Sequence, residues 1–491
     1  MIKTPSISSV SHLKQRSGTA RNVAMVCVLM AGAAIGYLFG QSTQVQDFLG
    51  ITSPFGAAIL FMGFIIAFRW PWLGMVLYLD IGALKTAPGF AATESVWPTA
   101  FLLAAVFIKL ARETHAFSRI AIPRHIVIPL LFFCPLIVFS VVFISGNPGA
   151  YSKVARFVLF AWGLVAIGMM LSRSPTSTYR FCTAAAIVGT GIGIAALLLT
   201  VLDPARVQQT TFGTLLLFDD QLIQNYLPVA RAIALGIIAI TVIGIDALEM
   251  GKVKLVLTRL LPVLLVACGA LFFTLSRSTL GATLGTVLVV VMARLRSVWG
   301  RFVGVTIALL LGGLIVVVAY NLGGGTFGVD RYLGSLSDDP SLYRRLYSWE
   351  KAIDYFLQNP FLGSGVGLRY AMWWDTEAAN MDVGGYQFPH NLPLELLGET
   401  GLIGLILFGL PIVVTLRRYW ANRLRLSMNP RWRIQATTIF GMLVFELIWS
   451  LMDGEIGLSR NIWLFTALLA GIVLQSVPRF VGSEGTHCCP N

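Results

Sequence analysis

The sequence predicts an all-α polytopic integral membrane protein of about 14 transmembrane helices (12–14), with one large outer loop containing short helices. Composition is the first reason: 56% of the 491 residues are hydrophobic, 12% are charged, and the mean hydropathy is +0.77. Soluble domains carry about twice that charged fraction. Apolar runs are the second reason, because they repeatedly reach or approach the roughly 20 residues that cross a bilayer as a helix. The third is the placement of basic residues, which falls on one side of those runs. A β-barrel is excluded, since its strands would alternate polar and apolar residues.

The hydrophobic segments are 22–40, 52–68, 71–85, 95–111, 125–145, 151–172, 180–202, 225–247, 257–275, 279–295, 302–322, 391–416, 433–452 and 460–477. The weakest, 71–85, is short and carries Asp80, which leaves a half-span open. The organisation is therefore a polar tail (1–21), a bundle of about eleven spans (22–322), the large loop (323–390), three further spans (391–477) and a second tail (478–491). With the N-terminus placed in the cytoplasm, 24 of the 36 Lys and Arg residues fall inside, the densest group being Arg417, Arg418, Arg423, Arg425, Arg431 and Arg433. The excess follows the positive-inside rule, so the net charge of +13 sets topology and apposition to membrane lipid rather than nucleic-acid binding. Even parity places both termini in the cytoplasm. The polar, basic start and the absence of a small-residue cleavage site predict a retained first span.

Of the six cysteines, Cys27, Cys134, Cys182 and Cys268 lie in apolar runs, and Cys488 and Cys489 form a tail pair; no disulfide framework or zinc spacing appears. Residues 203–224 form one long outer loop. The larger, 323–390, holds Asp338-Asp339-Pro340-Ser341, a cap-and-proline helix start, followed by the amphipathic stripe Leu342, Leu346, Trp349, Ile353 and Phe356. Asn359-Pro360 stops that helix, and Phe361-Leu362-Gly363-Ser364-Gly365-Val366-Gly367 forms a glycine-rich turn.

Twelve basic residues run against the topological bias, among them Lys153, Arg156, Arg231, Arg277, Arg345 and Arg460. Arg156, Arg231 and Arg277 each sit at or just within the outer end of a span. Three guanidiniums at one depth suit an anionic group such as a lipid diphosphate, which Arg binds bidentately. Snorkelling, or pairing with Asp219 or Asp220, is the alternative. His390, in Pro389-His390-Asn391-Leu392-Pro393, offers a group that exchanges protons near neutral pH at the membrane surface. It could equally belong to a helix cap, with Asn391 as N-cap and Pro393 in the first turn. Glu395 and Glu399 follow on one helical face, placed to orient the imidazole or bind a sugar hydroxyl, unless an Arg in the bundle neutralises them. Gly363, Gly365 and Gly367 follow no strand and lack the dinucleotide spacing. No Walker motif, HExxH or cysteine-rich metal set occurs, so neither a nucleotide cofactor nor a bound metal is expected.

Ser276-Arg277-Ser278-Thr279-Leu280 comes first, at a span end. Arg345-Leu346-Tyr347-Ser348-Trp349, then Asn359-Pro360-Phe361-Leu362-Gly363-Ser364-Gly365, then Pro389-His390-Asn391 through Glu399-Thr400-Gly401-Leu402-Ile403-Gly404 follow in order. This series, spread over about residues 200–415, resembles the O-antigen ligase and Wzy-type polymerase superfamily. The resemblance implies a metal-independent glycosyltransferase of the bacterial inner membrane, with its active site on the periplasmic face. The implied donor is an undecaprenyl-diphosphate-linked glycan. The implied acceptor is a lipid-linked repeat unit for a polymerase, or the lipid A core for a ligase. By that likeness Arg277 is the span-end arginine, Arg345 the arginine before the loop tryptophan and His390 the loop histidine. Arg156 and Arg231 rest on depth and charge alone. The size of the chain favours polymerisation of O-antigen or exopolysaccharide repeat units, with the ligase as runner-up. A lipid-linked oligosaccharide flippase or other transporter is the alternative from another class. It would require inverted repeats and polar residues at mid-bilayer, and the sequence offers no convincing repeat.

Overall fold

The computed structural model of the protein describes residues 54–81, 96–113, 123–145, 148–202, 226–274, 276–294, 340–368, 388–457 and 459–476. Those residues form helices and no strand. In chain order they are α1 (Pro54–Arg69), α2 (Pro71–Leu79), α3 (Val96–Glu113), α4 (Arg124–Phe139), α5 (Pro148–Leu171), α6 (Pro175–Leu202) and α7 (Tyr226–Glu249). The series continues with α8 (Val253–Phe273), α9 (Arg277–Arg294), α10 (Pro340–Gln358), α11 (Leu392–Met428), α12 (Arg433–Asp453) and α13 (Arg460–Ser476).

Among the described residues seven helices are long and apolar enough to cross a membrane, and they correspond to α4 through α8, α11 and α12. The expected segments 52–68, 95–111, 279–295 and 460–477 appear as α1, α3, α9 and α13. Segments 22–40 and 302–322, loop 203–224, the Asp338-Asp339 cap and both tails lie outside the described residues. Segment 71–85 opens with a short helix, and its residues 82–85 lie outside the described residues. Its helix is the nine-residue α2, which rises about 14 Å against a hydrocarbon core of about 30 Å. Pro71 starts it and the chain leaves the helix at Asp80. Segment 391–416 errs the other way, because α11 continues through the arginine cluster to Met428.

The packing follows the apolar faces. α5 runs along α13, α6 along α7, α9 along α12, and α4 along α11. At Gly189 of α6 a side chain would stand 2.3 Å from the Ala232 carbonyl of α7, so only glycine admits the approach of those two backbones. Below the ends of α4, α5, α11 and α13 an aromatic knot joins Phe133, Phe157, Phe408 and Trp463. Edge-on centroid separations are 5.5 Å for Phe133–Phe157, 5.6 Å for Phe133–Phe408 and 5.4 Å for Phe408–Trp463.

Ionic groups segregate to two ends. At one, Arg294 of α9 meets Asp246 (3.0 Å) and Glu249 (2.8 Å) of α7, and Arg433 of α12 meets the same Asp246 (2.7 Å). All four belong to the basic side expected from the sequence. At the other end, where α5, α7, α9, α11 and α13 begin and α12 finishes, stand Lys153, Arg277, Arg345, His390 and Asp453.

Candidate active site

Four features build the histidine end. α10, the loop helix, starts at Pro340 and packs along α11; its Ala352 is buried, whereas Leu346 and Ile353 of the stripe stay exposed. Trp349 from that stripe donates Nε1–H to the Pro389 carbonyl at 2.9 Å, fixing the residue before His390. Asn391 then caps α11, its Oδ1 accepting from Leu394 N at 3.1 Å, with proline in the first turn as expected. Between these two anchors His390 takes φ +54°, among the described residues the one left-handed position that is not glycine. A positive φ is uncommon outside glycine, and here the two anchors hold it in place.

α11 is broken near its start. Gly401 adopts φ +66° and ψ −166°, a conformation open to glycine. The glycine-rich turn fills the break. Leu402 N donates to the Pro360 carbonyl (2.9 Å) and Ile403 N to that of Phe361 (3.2 Å). In return, Ser364 N donates to the Gly398 carbonyl (2.8 Å) and Gly365 N to that of Glu399 (3.2 Å). The helix bonds lost at the break are thus remade between segments. A side chain at Gly363 would meet the Glu399 carbonyl carbon at 2.4 Å, and one at Gly401 would meet that of Phe361 at 2.4 Å. The two glycine motifs therefore dock on each other. Ser140 supports the same turn, accepting from Val366 N at 2.9 Å from the start of a π-helix, Ser140–Ser145, that follows α4.

The break sets off a short leading half-helix, Leu392–Thr400, that carries Glu395 and Glu399. Both carboxylates are fully buried and both close on Lys153 of α5: Glu395 through Oε1 in a very short contact, Glu399 through Oε2 at 3.0 Å. Glu395 Oε2 also accepts from Ile456 N (2.8 Å), and Glu399 Oε1 accepts from Gly367 N (3.1 Å). The neutralising cation is thus Lys153, rather than an arginine of the bundle. Among the described residues the carboxylate that reaches the imidazole belongs to Asp453, at the last turn of α12.

Asp453 gathers the site. Its Oδ1 accepts from Arg345 Nη2 at 2.8 Å and lies 3.8 Å from His390 Nδ1, and its Oδ2 accepts from the Ser278 hydroxyl. The side chain of Asp453 is buried, whereas 42% of the imidazole remains open and packs on Phe388 at 4.4 Å between centroids. Partial burial, and then the Arg345 guanidinium, push the His390 imidazole down to about 4, so it is neutral at pH 7. A neutral imidazole that keeps its proton on Nδ1, the side facing Asp453, leaves Nε2 to accept one.

The four expected arginines part company. Arg345 is committed to Asp453. Arg277 opens α9 and is half-buried, one residue before the Ser278 that donates to Asp453. Arg231 lies elsewhere in the bundle: Nε donates to Glu446 Oε1 at 3.0 Å, Nη2 engages both carboxylate oxygens, and the guanidinium stacks over Trp449 at 5.0 Å. Arg156 is half-buried on α5, three residues beyond Lys153. Arg460, named among the counter-bias cations but not as an anchor, is held on aromatic faces, 5.0 Å from Phe160 and 5.8 Å from Tyr78, with no carboxylate paired to it among the described residues.

Comparison with known proteins agrees with the motif order. Residues 262–409 match the O-antigen ligase family model, a stretch that holds Arg277, Arg345, His390, Glu395 and Glu399 and stops before Asp453. A 116-residue stretch, 22% of this chain, is 33% identical to the exopolysaccharide production protein ExoQ of Rhizobium meliloti (strain 1021), and the chain spans about a quarter (25%) of that relative's length. The similarity to the O-antigen ligase family thus falls on the stretch that builds the histidine end of a helical, membrane-spanning architecture.

Proposed function

We propose that the protein is a glycosyltransferase that moves a glycan from undecaprenyl diphosphate to a sugar hydroxyl, working at the periplasmic face of the bacterial inner membrane. The observation that carries this reading is the convergence of His390, Arg345 and Ser278 on Asp453. The arginine-rich end of the bundle faces the cytoplasm on this reading, in accord with the positive-inside rule.

In the reaction, the acceptor hydroxyl oxygen bonds to the anomeric carbon, the bond from that carbon to the diphosphate oxygen breaks, and the hydroxyl proton passes to His390 Nε2. Displacement from the opposite face inverts the anomeric centre. The imidazolium so formed is stabilised by Asp453. The diphosphate leaves with its charge met by guanidiniums: Arg277 at the start of α9, Arg460 at the start of α13 and Arg156 on α5. Arg231 is committed to Glu446 elsewhere in the bundle.

Polymerisation of repeat units is the leading form of the activity, and a relative named for exopolysaccharide production is compatible with it. The description of the matched family favours the second form, ligation of polymer to lipid A core. Surface glycan from a deletion strain, resolved on a gel, separates them. Loss of polymerase leaves single repeats. Loss of ligase leaves lipid-linked polymer and no polymer on lipid A. Unchanged glycan of every kind contradicts both.

A further inference from the structure

We propose that Lys153, held between Glu395 and Glu399, is a positioning residue for His390. The proposal rests on the reading of His390 as the base. Its starting point is the left-handed backbone of His390 (φ +54°), which needs restraint from both sides. On the leading side the restraint is the Trp349 hydrogen bond to the Pro389 carbonyl. On the following side it is the half-helix Leu392–Thr400, too short to hold its own direction. Lys153 supplies the hold. One ammonium from α5 grips two carboxylates a turn apart on the inward face of that half-helix, and all three side chains are buried. The carboxylate oxygens left over are met by the Ile456 and Gly367 amides, so the half-helix is also tied to the α12–α13 connection and to the glycine turn. The connection begins right after Asp453. The ammonium therefore fixes, through one cluster, the chain leaving the histidine and the chain leaving its carboxylate partner. With the cluster neutralised, His390 can relax out of the left-handed region and carry Nδ1 away from Asp453.

The test is a double-mutant cycle in the full-length protein, reading kcat and donor KM in a glycan-transfer assay. The variants are Lys153→Met/Glu395→Gln/Glu399→Gln, which keeps size while removing charge, and His390→Ala. A small displacement of a catalytic group can cost about 10²-fold, so the neutral variant should lose kcat on that order while donor KM moves less than about twofold. In the His390→Ala background the same change should cost nothing further, because the cluster acts through the histidine. Lys153→Arg, which keeps the charge, should restore part of the turnover. Wild-type kcat in the neutral variant, or an undiminished extra loss on top of His390→Ala, overturns the proposal. Should the triple variant not accumulate, Glu399→Gln alone leaves the Lys153–Glu395 pair standing. It should still lower kcat at unchanged abundance, and unchanged kcat overturns the proposal. Full activity in His390→Ala alone defeats the base assignment first, and the positioning role with it.

Discussion

The Asp453 carboxylate lies 3.8 Å from His390 Nδ1, bringing the end of α12 against the residue that leads into α11 across 63 positions of sequence. That separation exceeds a hydrogen bond, so the interaction is one of charge, and it grows when the imidazole takes a proton.

Asp453→Asn should therefore lower turnover with little change in donor affinity. Asparagine can still accept from Arg345 through its carbonyl oxygen and donate its amide to the Ser278 hydroxyl, so the fold is retained while the charge facing the imidazolium is lost. General-base catalysis contributes about 10²–10⁴-fold, and the variant should forfeit part of it, on the order of 10-fold or more. Steady-state kcat and KM for purified protein check this. A rise in KM with unchanged kcat would assign Asp453 to binding instead.

Arg345 sets the pH range. Partial burial and its positive charge hold His390 at about 4, below the ordinary histidine value. The base is competent above its pKa, so kcat/KM should fall only as pH drops toward 4. Arg345→Gln removes one of the two influences that lower the value. The imidazole then holds its proton to higher pH, and the acidic limb of the profile should move upward. A limb that stays in place would show that Arg345 does not act on the base.

The docked glycines carry a stability prediction. Gly401→Ala places a methyl 2.4 Å from the Phe361 carbonyl carbon and forces alanine into a glycine conformation, which alone costs about 1–3 kcal/mol. Gly363→Ala meets the same obstacle from the other side, against Glu399. Both should lower the thermal midpoint of detergent-solubilised protein by several degrees. Gly269→Ala, where no neighbouring atom lies within 4 Å, should not.

Arg231 and Arg460 should separate by phenotype. Arg231→Ala leaves Glu446 buried without its partner, a loss of about 3–5 kcal/mol that should appear as reduced abundance and lower thermal stability. Arg460→Gln removes a guanidinium that no carboxylate holds among the described residues, and should raise donor KM at unchanged stability. Paired measurement of unfolding and donor KM on both variants decides the assignment.

Much of this architecture is legible in the chain. The loop helix runs Pro340–Gln358 and gives way at Asn359-Pro360, as its proline, stripe and stop residues require. Asn391 caps α11 as its side chain and the following proline indicate. The gathering of Asp246, Arg294 and Arg433 at one end agrees with the sidedness of the basic residues. Other features depend on partners remote in sequence, which periodicity does not encode. Lys153 meets Glu395 across 242 positions, and the counter-bias placement of Lys153 marks it as unusual without naming its partners. The break at Gly401 sits inside an unbroken apolar pattern and becomes necessary only when the 360–365 turn lies against it. Asp453 ends an apolar span one residue past its expected limit. An acid closing a span at the outer end, facing an excess of unplaced arginines, was the available signal for it.

His390 as the proton acceptor is the step on which glycan transfer depends. The most direct measurement is transfer by purified His390→Ala in lipid nanodiscs, using a polyprenyl-diphosphate-linked repeat unit as donor, with donor binding followed in parallel. The account predicts donor affinity within about twofold of wild type and turnover reduced by about 10²-fold or more. Turnover at the wild-type rate would contradict it.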